Sequence, residues 1–354
     1  MIGKRLKLAR GSAGLSLREL SVRIDNVVSA QAIGKYERDE MMPGSKVLIA
    51  MSQALDVPVS YLAGPNKIQL DGVEFRRNRI TSRKEENQVE AAVLSHLDRY
   101  LELEEILQVA SVEWEKPREA PFPVRVLQDA EVAAMSMREH WDLGTNPVPS
   151  FAEFLEERGI KVMALNLPAS VSGLTCWAIG SAGRRVPVIV INANDTGERQ
   201  RFTLSHELGH MVMDVADGVN EEKAAHWFAG ALLMPRDTIF SEIGRNRSSI
   251  GLGELFALKE IFGVSVQAIT YRCKDLGIVS QTAFRQLFDV FEEKGWRKPP
   301  FPEPQPVPHE SPRRFRRLCF RALAENAISE SKAAELLGMS VRRLNSEMED
   351  APAA

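Results

Sequence analysis

Two histidines four residues apart, in His206-Glu207-Leu208-Gly209-His210, constrain this chain more than any other feature. On a helix, imidazoles at i and i+4 share one face and can bind a single tetrahedral ion. Glu207, one step round from the first ligand, reaches toward the open fourth position and can take a proton from a water attacking a carbonyl. The spacing predicts a Zn2+ site and zinc-dependent peptide hydrolysis, with His206 and His210 as ligands and Glu207 as catalytic base. The flanking residues predict the helix itself, because Phe202, Leu204 and Leu208 supply an apolar side next to the histidines. Gly209 has no side chain, so another element can come close to the metal. Upstream, Arg185-Val-Pro-Val-Ile-Val-Ile-Asn is a β-branched run that predicts a buried strand leading into this helix.

A catalytic zinc takes three protein ligands, so one more must come from elsewhere in the chain. The segment from Glu221 to Met234, ended by Pro235, predicts a second helix with an apolar stripe through Ala225, Phe228, Ala229, Leu232 and Leu233. Glu222 lies on that stripe, three residues before Ala225, whereas Glu221 is rotated about a quarter turn away. A carboxylate facing inward carries a desolvation cost that a cation offsets, and this makes Glu222 the expected third ligand. The competing reading is a helix-start carboxylate favoured by the dipole. His226, one turn on, is a candidate for the second shell or for an alternative ligand; packed histidines are also common at such positions.

At this point the chain resembles the ImmA/IrrE metallopeptidases, in which a HExxH helix is followed by a helix of the form E-x-x-A-N-x-F-A-x-x-L-L-M-P. Here that element reads Glu222-Lys-Ala-Ala225-His226-Trp-Phe228-Ala229-Gly-Ala-Leu232-Leu233-Met234-Pro235, with His226 in place of the usual Asn. The resemblance carries the family's zinc ligands onto His206, His210 and Glu222 and its catalytic Glu onto Glu207. It implies a protein substrate such as a repressor or a toxin-antitoxin partner. Roles in stress response, mobile-element control or antitoxin-like autoregulation follow from the same resemblance.

Residues 1–66 read as four or five short helices, with Ser16 and Ser29 as caps and Val47 to Leu55 as one of them. The pattern is similar to the XRE-type helix-turn-helix domain of phage repressors, whose third helix enters the major groove. That likeness places Ser29, Ala30, Gln31, Ala32 and Lys35 against a double-stranded DNA operator and gives Lys4, Arg5, Lys7 and Arg10 phosphate contacts. Leu17 stands where a polar contact residue is usual, and Asp25-Asn-Val-Val-Ser is a longer turn than the common one. Such domains read two half-sites, so a homodimer is expected.

The expected fold class is mainly α, with an N-terminal all-α helix-turn-helix domain and a small α+β zincin-like metallopeptidase domain. Gly64-Pro-Asn marks a boundary. A helical connector over 67–120 follows, with Val89, Val93, Leu97, Leu101 and Ile106 as a buried stripe for packing on the peptidase core or, alternatively, for dimerisation. The peptidase domain is expected over 121–298, from helices near 130–143 and 149–158 and strands near 161–165, 173–178 and 186–191. Residues 299–354 read as a Pro-rich strap and C-terminal helical cap. In that cap the basic run Arg313-Arg-Phe-Arg-Arg precedes two short helices around Gly338, similar in outline to a second helix-turn-helix, with DNA contact as the alternative role.

At 354 residues, 44% hydrophobic and 26% charged, the composition is ordinary for a globular protein, and a net charge of −3 opposes general affinity for polyanions. Nucleic-acid binding must therefore be local. Three dispersed cysteines form neither a disulfide framework nor a cysteine metal site, and no stretch approaches membrane-spanning length or a signal peptide. A cytoplasmic setting is expected. The expected function is a DNA-binding regulator carrying a zinc endopeptidase that cuts a partner protein or itself. The alternative is a transcription factor or antitoxin that uses the peptidase fold as a sensing platform without turnover, which the intact Glu207 opposes. A nuclease is disfavoured because paired carboxylates for two metals are missing.

Overall fold

The computed structural model describes residues 2–57, 59–63, 69–74, 83–114, 116–179 and 185–349. The Gly64-Pro-Asn boundary and the tail beyond Glu349 lie outside these. The chain forms two compact units, one of Met1–Ser111, Cys176–Val186 and Arg313–Ala354, the other of Val112–Thr175 and Pro187–Pro312.

The first unit opens with five helices: α1 (Gly3–Ser12), α2 (Leu17–Arg23), α3 (Ala30–Glu37), α4 (Ser45–Leu55) and α5 (Val59–Ala63). Leu6, Leu20, Ile33, Met51 and Leu62 form their common core. Ser16 starts α2 through a capping box, accepting from Glu19 N while its own N–H donates to the Glu19 carboxylate. The long turn before α3 holds together because Asp25 and Asn26 both take the left-handed conformation. Asn26 N–H then donates to Ser21 O at 2.8 Å, and the Ser21 hydroxyl donates to Val28 O at 2.7 Å. Strand β1 (Gln69–Glu74) and the long helix α6 (Arg83–Ile106) follow.

The stripe of α6 is Val89, Val93, Leu97, Tyr100 and Leu103, all buried, rather than one continuing to Leu101 and Ile106. Within its unit this helix packs against α1 and the first of three C-terminal helices. Arg5 of α1 meets Asp98 at 2.6 Å. The second unit comprises β2 (Phe122–Val124), α7 (Asp129–His140), α8 (Phe151–Glu157), β3 (Lys161–Leu165), the start of β4 (Gly173–Ile179), most of β5 (Arg185–Asn192), and α9 (Gly197–Val212). It continues with β6 (Met213–Val215), α10 (Glu221–Leu233), α11 (Arg236–Ile243), α12 (Leu252–Phe262), α13 (Val266–Asp275) and α14 (Gln281–Glu293). The chain ends in α15 (Arg314–Ala324), α16 (Glu330–Leu337) and α17 (Val341–Glu349), which group with the first unit.

Sheet order is β1-β4-β5-β3, and β2 pairs with β6. β3 and β5 run parallel with Lys161 opposite Val188 and Leu165 opposite Asn192. Every residue of β5 after Arg185 is buried, which a strand covered on both faces requires and which its Val/Ile run supplies. From β5 the chain enters α9 across a turn held by the Asn192 amide, which donates to Leu167 O, Pro168 O and Val171 O.

The position of α9 is set by buried charge as well as by apolar packing. Arg201 meets Glu310 at 2.7 Å. Lys259 of α12 meets Glu198 at 2.5 Å and Glu303 at 3.1 Å. Glu303 and Glu310 come from the proline-dense segment, which is thus anchored along the start of α9. Helix α10 is held from its other side, where Arg272 donates to both oxygens of Glu131, at 2.6 and 2.7 Å, and to Met234 O at 3.0 Å.

Candidate metal centre

Helix α9 presents His206 and His210 on one face with ring centroids 4.7 Å apart. Their Nε2 atoms approach to 3.1 Å. Glu222, in the first turn of α10, closes a triangle on them, its Oε2 3.3 Å from His206 Nε2 and its Oε1 3.9 Å from His210 Nε2. Donor atoms bound at about 2.0–2.1 Å around a tetrahedral ion sit about 3.3 Å from one another, so this triangle fits one divalent cation. Among the described residues this is the group of His, Cys, Asp or Glu side chains whose donor atoms can share an ion. His206, His210 and Glu222 are therefore brought together, although the Glu222 side chain is more than half exposed and not turned into the core as its place on the apolar stripe suggests.

The two helices meet closely because of Gly209. A Cβ at that position would lie 2.9 Å from Cδ1 of Phe228, which is fully buried, and 3.4 Å from Met213 Cε. The element admitted by the missing side chain is α10 itself, carrying Glu222. Gly173 at the start of β4 does the same on the other side, where a Cβ would lie 2.5 Å from Thr203 Cγ2, 2.8 Å from Val190 O and 3.6 Å from Glu207 Cγ. Glu207 is almost wholly buried, between α9 and this glycine. Nothing in the spacing of residues 173 to 207 points to Gly173, since the contact runs between a strand and a helix.

A second carboxylate, which the apolar stripe of α10 leaves out, also reaches the site. Glu221 Oε1 lies 3.0 Å from His210 Nδ1. A carboxylate can only accept, so Nδ1 carries the proton and the His210 lone pair is on Nε2, aimed at the triangle. Glu221 thus takes the orienting position that carboxylates hold behind metal-bound histidines. Its place a quarter turn from Glu222 turns it toward the next histidine along α9.

His226 is not in the converging set. Its Nδ1–H donates to Glu222 O at 2.6 Å, and its exposed ring stands edge-on to His206 at 4.5 Å and 5.8 Å from the Phe202 ring. It packs on a ligand ring and on the carbonyl of the residue that bears the third carboxylate.

In the N-terminal helices, Ser29, Gln31 and Lys35 are exposed on α3, whereas Ala30 and Ala32 are half-buried. Ala32 packs on the domain core, and the Ser29 hydroxyl accepts from Ala32 N at 3.2 Å as the cap of α3. Lys4 and Lys7 are exposed, as phosphate contacts need. Arg5 and Arg10 are not available for that role: Arg5 is buried, donating to Tyr61 O and pairing with Asp98. Arg10 forms a two-point pair with Glu37 at 2.5 and 2.9 Å.

Fold and site together define a regulator-type chain, a helix-turn-helix module joined to a peptidase-type α+β domain with a His/Glu cluster. Comparison with known families agrees. Residues 155–274 match the IrrE N-terminal-like domain of the M78 peptidases, and residues 6–62 match the helix-turn-helix family, in the order expected. The first span runs from α8 through α13 and contains both histidines, Glu207, Glu221 and Glu222. No curated protein matches the chain. No helix among the described residues is long and apolar enough to cross a membrane.

Proposed function

We propose that the chain is a DNA-binding regulator with a zinc endopeptidase, in which His206, His210 and Glu222 hold Zn2+ and Glu207 is the catalytic base. The observation that carries this reading is the triangle of two Nε2 atoms and one carboxylate, at separations of 3.1, 3.3 and 3.9 Å. A divalent cation bound there supplies Lewis-acid polarisation of a carbonyl and acidifies water. Glu221 keeps His210 in the tautomer that presents Nε2. Glu207, held between α9 and Gly173, takes the proton from the attacking water and passes it to the departing amine. The substrate in this reading is a partner protein, a repressor or toxin-antitoxin component, or the chain itself. Operator binding falls to α3 through Gln31 and Lys35, with the chain acting as a homodimer.

The test pairs metal analysis with a base-deleted variant. Purified protein is expected to hold one zinc per chain, and Glu207→Gln to keep that zinc while losing cleavage of the product of the neighbouring gene, read by mass spectrometry. Equal zinc content after His206→Ala and Glu222→Ala would overturn the metal site. Cleavage unchanged in Glu207→Gln would overturn the base. Zinc bound with no cleavage of any offered protein would favour the sensing platform.

A further inference from the structure

The C-terminal helices α16 and α17 are joined by a short turn of the kind found in helix-turn-helix pairs. Helix α16 ends at Gly338 in the left-handed conformation, φ 66° and ψ 35°. Gly338 N–H donates to Glu335 O and Met339 N–H to Ala334 O, which closes the helix end. Only Gly338, Met339 and Ser340 separate α16 from α17, and the Ser340 hydroxyl accepts from Arg343 N at 3.2 Å to start the second helix. A three- to four-residue turn containing glycine is the usual connection in DNA-binding helix pairs. By that measure this module is more regular than the N-terminal one, whose turn spans Ile24 to Ser29.

Its packing follows the same plan. Ala333, Ala334 and Leu336 of α16 and Leu344 of α17 are buried with Phe315, Leu318 and Ala322 of α15 against Tyr100 and Leu103 of α6. Leu344 is the one buried residue of α17, and Arg342 and Arg343 lie at the surface; Arg343 donates to Glu347 at 3.1 Å but is 70% exposed, unlike Arg10 in its largely buried pair with Glu37. Charge favours a polyanion. Residues 313–349 hold eight Arg and Lys against five Glu, net +3, while the whole chain is −3. Residues 2–63, around the matched helix-turn-helix, hold nine against six, also net +3.

We propose that α15–α17 is a second double-stranded-DNA-binding module, with α17 in the major groove and Arg342 and Arg343, in its first turn, contacting bases and phosphates. Both modules pack on α6, α1 through Asp98 and α16 through Arg99, whose guanidinium donates to Leu336 O at 2.9 Å. One chain thus carries two DNA-reading heads on a shared helix.

Site-directed cleavage tests this in the full-length protein. Cys176, Cys273 and Cys319 are free and buried, so one introduced surface cysteine can be labelled selectively with iron-EDTA. Duplexes are selected from a random-sequence pool with unmodified protein, then cut from tethers at Val27→Cys, in the N-terminal turn, or Met348→Cys, on α17; both positions are exposed. The expected result is cleavage from both, at separate positions along the duplex. Arg342→Ala combined with Arg343→Ala is expected to weaken binding about tenfold or more and to lower the salt slope by about one for each phosphate no longer neutralised. Cutting from Val27→Cys alone, with the double variant unchanged in affinity and salt slope, would overturn the proposal and leave the α3 reading intact. Cutting from Met348→Cys alone would support it and overturn the α3 reading. Failure to select any duplex would overturn both.

Discussion

His210 shows how a single side chain ties the site to its surroundings. Its Nε2 belongs to the His/Glu triangle, and its Nδ1 is held by Glu221, whose own side chain is largely exposed. Glu221→Gln is expected to lower zinc affinity about 10- to 100-fold, read by competition with a chromophoric chelator, because the orienting carboxylate is removed while the ligands stay. An unchanged affinity would make the Glu221 contact incidental. Gly209→Ala acts from the opposite side, since its new methyl meets the buried Phe228 ring and pushes α10, with Glu222, away from α9. It is expected to weaken zinc binding in the same assay while α9 stays helical by circular dichroism.

At the scale of elements, the proline-dense segment is a clamp on α9 rather than a bare linker. Glu310 accepts from Arg201 and also from Ala152 N at 2.9 Å, and all of this is buried. Glu310→Ala leaves the Arg201 guanidinium buried without its carboxylate and is expected to destabilise the peptidase unit by about 3–5 kcal/mol, measured by chemical denaturation. The acidic groups that lock these elements also set the pH response. Burial raises the Glu131 and Glu198 carboxyls, but Arg272 and Lys259 respectively outweigh it and hold both below their ordinary value of 4.5. A depressed carboxyl adds stability above that ordinary value and loses it as pH falls through the folded one. The melting temperature is therefore expected to drop on acidification below about pH 4.5. Glu131→Gln is expected to be less stable at neutral pH and to show a shallower acid slope.

For the whole molecule, the placement of the His/Glu triangle within the second unit predicts separable responses to a bound metal. A cation held by the His/Glu triangle in the folded second unit would stabilise that unit in proportion to the logarithm of its free concentration over the dissociation constant. Chelation is expected to lower one calorimetric transition, with little change in a second and in affinity for selected duplex DNA. A uniform shift of every transition, or loss of DNA binding on chelation, would contradict this expectation. The units interleave in sequence, since Arg313 to the C-terminus returns to the first after the peptidase is complete. Contacts between α6 and α15 join residues more than two hundred positions apart.

The motif, the helix that carries it, the buried β5 strand and the apolar stripe of α10 were legible in the sequence because each is a local period or spacing, and a helix or strand turns spacing directly into a shared face. The stripe also singled out Glu222, yet its side chain is more than half exposed, so the packing of α10 on α9 and not inward burial brings it to the histidines. Tertiary structure decided the partners that spacing does not encode: Glu221 behind His210, Gly173 against Glu207, Glu310 beneath Arg201, and the diversion of Arg5 and Arg10 from phosphate contact to internal ion pairs. Local sequence determines which direction a side chain leaves its own backbone, and only the packing of distant elements determines what it meets.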